Sequence, residues 1–206
     1  MIVTSFFTSG YKGEQADFIK AATDQMGYGD IIDVRTLESQ GSWRKNCGMK
    51  PQHILTVLEE HKMPVLWVDI DARFRRPFTI CGWLAQEFDF ATWFIPHKRM
   101  RKEHIPGGPD TGRDGISSGT MWFNYTPLAI QWLNAWVDRE DGQGQYGQQI
   151  MGELWYEMHE AGKAPLTFHL PQQYCKVFDA PWFRRSEDHE VIIEHMQASR
   201  RLKRHR

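Results

Sequence analysis

Two aspartates one residue apart, Asp69 and Asp71, close the run Pro64-Val-Leu-Trp-Val-Asp69-Ile-Asp71. Carboxylate oxygens are the preferred ligands of hard divalent cations such as Mg²⁺ and Mn²⁺, and these cations often also hold substrate phosphates. If the pair leaves a strand where the chain bends, both carboxylates could face one ion and one nucleotide. In open α/β folds ligands bind outside the carboxyl ends of strands, which is where this pair falls. The spacing alone is a weak signal, and a solvated turn at a strand end is the plain alternative. A second use of such a pair is the phosphoryl-aspartate nucleophile of phosphatases, in which a threonine or similar small residue follows two positions after the second aspartate. Here the continuation is Ala72-Arg73-Phe74, and the pair lies after other α/β units rather than on the first strand.

The elements that must position the pair are legible from periodicity. Met1 to Thr8 reads as an opening strand, Glu14 to Gly27 as a helix, and Ile31 to Val34 as a second strand. Pro51 to Lys62 carries Ile54, Leu55, Val57 and Leu58 behind a proline that suits a first helical turn. Pro64 to Asp69 is nearly continuous apolar sequence, as expected of a strand buried on both faces of a largely parallel sheet. Phe88 to Pro96 and Thr120 to Tyr125 read as further strands. Leu128 to Val137 and Ile150 to Met158 read as amphipathic helices, and short strands are expected at Leu166 to Leu170, Cys175 to Phe178 and Val191 to Glu194. The alternation predicts a single α/β, Rossmann-like domain over 1–206, with a mostly parallel mixed sheet flanked by helices and late strands free to run antiparallel. Residues 97–118 are poor in apolar side chains and rich in turn formers, so they are expected to form a loop beside the site.

Composition narrows the classes. With 206 residues, 41% apolar and 25% charged, the chain supports one ordinary core and is not a disordered protein. No apolar run approaches the roughly 20 residues of a membrane span. The opening MIVTSFFTSGYKGEQ lacks the basic and apolar regions of a secretory signal. Cys47, Cys81 and Cys175 are odd in number and widely spaced, which fits a reducing cytoplasm rather than a disulfide scaffold or a thiolate zinc site. The net charge of −1 argues against a bulk polyanion binder, although basic clusters stand at Arg73 to Arg76, Lys98 to Lys102 and in the tail 200–206. Nine tryptophans suit carbohydrate or base stacking, or ordinary packing.

Several shorter motifs stand in order around the aspartate pair: Phe7-Thr8 followed by Tyr11, Gly41-Ser-Trp43-Arg-Lys-Asn46, Lys50-Pro51, Ser118-Gly119-Thr120 with Asn124, Leu170-Pro171 with Tyr174, and Ile193-Glu194-His195 running to Ser199-Arg200. With them the sequence resembles the nucleotide-diphospho-sugar glycosyltransferases of the GT-A fold, particularly small bacterial and phage enzymes similar to galactosyltransferases. The resemblance implies that Asp71 binds a divalent ion, Mn²⁺ or Mg²⁺, that Asp69 shares between ion and ribose, and that His195 returns from the C-terminal strand as a further ligand. It implies a nucleoside pocket at Thr8 and Tyr11, diphosphate contacts from Arg44, Lys50 and Arg200 beside Ser199, and a sugar bordered by Ser118 and Gly119. Retaining relatives carry an Asp-Gln pair at the start of the helix after the Ser-Gly strand. Here Gln148 stands for the glutamine and glycine occupies the aspartate position, with Asp141 nearby in sequence.

The activity implied is transfer of a glycosyl group from a nucleotide-diphosphate sugar, a UDP-sugar favoured, to an acceptor hydroxyl. An inverting enzyme needs a carboxylate to take the acceptor proton, and Asp110, Asp114 and Asp141 are the loop candidates. Arginines interleaved with Phe74 and Phe78 suit a phosphate backbone with stacked bases. The compact chain also resembles phage enzymes that glycosylate hydroxymethylated pyrimidines in DNA, which would place it in the host cytoplasm. A bacterial surface glycan or lipid-linked sugar is the alternative acceptor. A non-catalytic sugar-nucleotide binding module and a metal-dependent nucleic-acid enzyme are the other classes; the second needs more carboxylates than the sequence places in context.

Overall fold

Six strands make the central sheet: β1 (Ile2–Phe7), β2 (Ile31–Thr36), β3 (Val65–Val68), β5 (Phe90–Ile95), β6 (Gly115–Phe123) and β7 (Thr167–His169). The structure, a computed structural model, describes residues 1–27, 29–96, 112–140, 147–178 and 190–198. The strand order is β2-β1-β3-β6-β5-β7. β1 runs parallel to β2 and β3, β6 runs antiparallel to β3 and β5, and β7 is parallel to β5, so the sheet is mixed as expected.

β3 is buried over its whole length because its two faces serve two cores. Val65 and Trp67 pack with α3 (Lys50–His61), α5 (Pro127–Arg139) and α6 (Gly147–Glu160) through Ile54, Leu58, Trp132, Trp136 and Met151. Leu66 and Val68 face the other way, toward Phe18 and Ala22 of α1 (Lys12–Gln25) and Leu84 of α4 (Cys81–Glu87). Pro51 opens α3, and α5 opens on Pro127 behind Thr126, whose hydroxyl accepts from Ala129 N at 3.3 Å. Trp67, Trp122, Trp132 and Trp136 are fully buried and Trp93 and Trp155 nearly so, which makes packing the main use of tryptophan.

A second, three-stranded sheet, β4-β9-β8, stands beyond the end of β3 and is built from β4 (Ala72–Phe74), β8 (Lys176–Val177) and β9 (Ile193–His195). β4 and β9 are antiparallel, with Ala72 opposite His195.

Two short helices, α4 and α2 (Trp43–Gly48), have too few turns to show periodicity, and neither was expected from the pattern. Ser42 caps α2 by accepting from Lys45 N at 3.3 Å. The expected loop 97–118 lies outside the described residues up to Thr111, and its last four residues, 115–118, are already strand β6. The tail 200–206 and the basic cluster at 98–102 also lie outside the described residues. The three cysteines are free. Among the described residues no helix is long and apolar enough to cross a membrane.

Candidate active site

The strand order places β1 between β2 and β3, with α1 leaving to one face of the sheet and α3 to the other. The crevice at the carboxyl ends of β1 and β3 is thus a topological switch point, where such sheets take ligands. Asp69 leaves β3 there. Its N–H continues the ladder to Gly119 O at 2.9 Å, and Ala72 N donates to Asp69 O at 2.9 Å, closing a tight turn. Ile70, between the two carboxylates, is buried in the core on the α1 side. Asp69 and Asp71 both line the cleft, with Ile70 between them.

His195 reaches the pair through the second sheet, since its register opposite Ala72 sets it beside Asp71. Ligand atoms of Asp69, Asp71 and His195 all lie within 4.8 Å of one another. Met196 N donates to Asp71 O at 3.1 Å and Ala198 N to Asp71 Oδ2 at 2.7 Å, with Gln197 between them held at φ 53°. Lys50 Nζ meets Asp69 Oδ1 at 2.7 Å, and the Trp67 indole N–H donates to the same oxygen at 3.2 Å. Among the described residues these bonds engage Oδ1 of Asp69 and Oδ2 of Asp71, so each carboxylate keeps its other oxygen for a cation. Two carboxylates and an imidazole suit Mn²⁺, or Mg²⁺ with water completing the shell.

Electrostatics point the same way. The Asp71 pKa is raised, first by burial and then by the Asp69 charge. Burial alone would depress the His195 pKa, but the Cys175 sulfur and then Asp69 and Asp71 more than reverse it, to about 9. A divalent cation would relieve this crowding of negative charge and displace the protons it attracts. Tyr11 is pushed up to about 12, by burial first and then by nearby negative groups including Asp71, so its phenol stays a neutral donor.

The cleft is also lined by Thr8, Tyr11, Lys50, Ser118 and Gln148. Lys50 Nζ donates to Ser118 O at 3.2 Å, and Gln148 Oε1 accepts from Ser118 N at 3.3 Å. Arg44 is exposed on α2 and does not line the cleft. Gly119 does not line it either: the space beside its Cα is filled by the His195 ring, whose Cε1 would lie 2.9 Å from a Cβ there. Asp110, Asp141, Ser199 and Arg200 lie outside the described residues. Asp114 is exposed, just ahead of β6.

Sequence reasoning missed Trp67 as a partner of Asp69, and Gln197 as a cleft residue in the left-handed region. It also missed Thr120 and Cys175 around His195. Thr120 Oγ1 lies 2.9 Å from His195 Nε2, and Cys175 Sγ is 3.1 Å from Ser117 Oγ. The β6 residues were findable, since alternate side chains of a strand share a face. A second acidic group, Asp33, Glu60 and His61, is occupied by the Arg35 guanidinium, 2.6 Å from Asp33 and 2.5 Å from Glu60.

No protein-family model matches the sequence, and no curated protein matches it. Solved structures do match. A glycosyltransferase involved in the glycosylation of the major capsid of PBCV-1 has a TM-score of 0.63, covering 98% of this chain and 96% of that one at 11% identity. Mouse xyloside xylosyltransferase 1, in its apo form, has a TM-score of 0.54, covering 96% of this chain and 97% of that one, also at 11% identity. The fold is therefore that of GT-A-type glycosyltransferases. At such identity the likeness speaks for the fold, and function has to be argued from the site.

Proposed function

We propose that the protein is a divalent-metal-dependent glycosyltransferase that moves a sugar from a nucleotide-diphosphate sugar to an acceptor hydroxyl. The observation that carries this reading is the convergence of Asp69, Asp71 and His195 ligand atoms within 4.8 Å, with both carboxylates lining the cleft at the end of β3. Asp69, Asp71 and His195 would hold the ion, which when bound supplies electrophilic stabilisation of the leaving diphosphate. Lys50, nine-tenths buried and pointing at Asp69, supplies a fixed cation beside the same charge. Thr8 and Tyr11 offer a hydroxyl and a phenol to the nucleoside, a UDP-sugar being the donor we favour. Gln148, a neutral amide that lines the cleft beside Ser118, would hydrogen-bond the sugar as positive charge grows at its anomeric carbon. Asp114 and Asp141, with Asp110, remain the carboxylate candidates for the acceptor proton, and Arg44, Ser199 and Arg200 remain proposed donor contacts.

Hydroxymethylated pyrimidine in phage DNA is our first acceptor, on the basic clusters of the sequence. Arg73 is paired with Asp17 at 2.7 Å and Arg75 with Glu194 at 2.8 Å, so a phosphate backbone would compete with those pairs. Bacterial surface glycan and lipid-linked sugar form the other acceptor class.

A screen of sugar nucleotides for hydrolysis or transfer, with Mn²⁺ present and hydroxymethylated DNA among the acceptors, tests the reading. Turnover is expected to disappear in chelator and in Asp71→Ala. Full activity in EDTA after exhaustive dialysis would remove the metal from the reaction. A thermal shift with bare DNA, and none with UDP plus Mn²⁺, would favour a nucleic-acid enzyme instead.

A further inference from the structure

Glu140 ends α5, and its carboxylate lies where three helix ends meet. Its Oε1 accepts from the Trp136 indole N–H at 2.9 Å. The same oxygen stands 2.8 Å from where a Cβ on Gly147 would be, and Oε2 stands 2.9 Å from where a Cβ on Gly48 would be. Gly48 is the last residue of α2 and Gly147 the first of α6. Both helix ends are glycine at the points where this carboxylate presses against the backbone, so each lets the group approach more closely than any side chain would allow. The first turn of α6 also presents N–H groups and a partial positive charge, which favours an anion there.

What lies just past each glycine gives the contact its meaning. Lys50 follows Gly48 by two residues and opens α3, and Gln148 follows Gly147 directly. Lys50 and Gln148 converge on Ser118, the first donating to its carbonyl and the second accepting from its N–H. Trp136 and Gly147, which touch the Glu140 carboxylate, form part of the cleft wall, while Glu140 itself does not line it.

We propose that Glu140 is a positioning residue whose carboxylate, wedged between Gly48 and Gly147, sets the positions of Lys50 and Gln148 about Ser118 in the cleft. The inference rests on the transferase reading for its chemical consequence, though not for the contact itself. A misplacement of about 1 Å at a reacting centre can cost a hundredfold in rate, so a wedge of this size matters more to turnover than to ground-state binding.

The contact is tested by melting curves without any ligand. Gly147→Ala puts a methyl into the Glu140 carboxylate and is expected to lower Tm by about 3 °C or more, but by under about 1 °C in a Glu140→Ala background. An equal loss in both backgrounds would overturn the wedge. The consequence is tested by kinetics with the donor found for the wild-type chain, together with calorimetry of UDP plus Mn²⁺. Glu140→Ala is expected to lower kcat at least about tenfold while the UDP–Mn²⁺ Kd rises by less than the roughly tenfold that removing the Lys50 charge would cost, and Glu140→Gln, which keeps the volume and an acceptor for Trp136, recovers most of the rate. Wild-type kcat in Glu140→Ala, or parallel losses of kcat and UDP–Mn²⁺ affinity, would overturn the positioning role. Failure of the wild-type chain to bind UDP–Mn²⁺ would instead count against the transferase reading, with the melting cycle still deciding the contact.

Discussion

Substituting Gly119 by alanine should damage the candidate metal centre without touching a ligand. A Cβ at this position would lie 2.9 Å from His195 Cε1, 3.2 Å from Nδ1 and 3.4 Å from Nε2. Carbon atoms pack at about 3.5 Å or more, so the ring must retreat by about 0.5 Å. It has little room, since His195 is 2% exposed and its Nε2 is held 2.9 Å from Thr120 Oγ1. Overpacking of this kind costs about 1–3 kcal/mol, which for a chain of this length lowers Tm by roughly 2–12 °C. Ligand distances in metal sites are fixed to about 0.2 Å, and disturbing groups that orient a ligand costs roughly 10–100-fold in affinity. Mn²⁺ calorimetry on Gly119→Ala should therefore show at least tenfold weaker binding at a lower Tm. Gly152→Ala is the control, because a Cβ there meets nothing within 4 Å on α6; it should raise stability by about 0.5–1 kcal/mol. Wild-type Mn²⁺ affinity in Gly119→Ala would show that the ring beside Gly119 is not a ligand, and the argument for the centre would lose its third member.

Three further outcomes are expected. His53 is pushed down to about 4, chiefly by burial and then by the Arg35 charge. Because Thr4 Oγ1 donates to Asp33 O at 2.8 Å, the ring must donate to Thr4 from Nε2, which requires no added proton. The unfolded chain therefore takes up the proton first. Stability present above pH 6.5 should fall by about 3 kcal/mol as pH drops toward 4, and thermal melts of His53→Gln should lack that part of the loss. Lys50→Met keeps a stem against Trp67 but removes the charge at Asp69. Its affinity for UDP plus Mn²⁺ should fall about tenfold or more in calorimetry, and unchanged affinity would remove Lys50 from the diphosphate site. Gln197→Val should cost about 1–3 kcal/mol in melting experiments, because a β-branched residue resists the left-handed backbone that carries Ala198 N–H to Asp71. Gln197→Gly should cost less, and equal losses would show that backbone strain is not what matters there.

Much of the central sheet was readable in the linear chain for a reason that β3 makes plain. A strand with a core on each face must be apolar at every position, and an aspartate is where such a strand has to leave the interior. The helix α3 announced itself by a proline in its first turn ahead of a 3.6-residue stripe, and α5 by its stripe. The helix α2, by contrast, has no fully buried residue, so it left no periodic trace. The first half of β6 read as loop because Ser117, Ser118 and Gly119 are polar or small. Inside the sheet Thr92 donates to Ser117 O, and Lys50 and Gln148 satisfy Ser118. Those partners come from elements far away in the chain.

Taken by itself, the order of residues determined which side chains can ligate a hard cation, where the interior strands run, and that Asp69 and Asp71 emerge together. Residue type and local period are properties of neighbours along the chain, and they survive in one dimension. Only the folded molecule decided that His195 meets the aspartates, since this depends on two three-residue strands pairing in one register. Only there does Gly119 make room for an imidazole, and only there do Gly48 and Gly147 admit one carboxylate between them. Contacts between residues a hundred positions apart are set by the packing of whole elements, and no local pattern carries them.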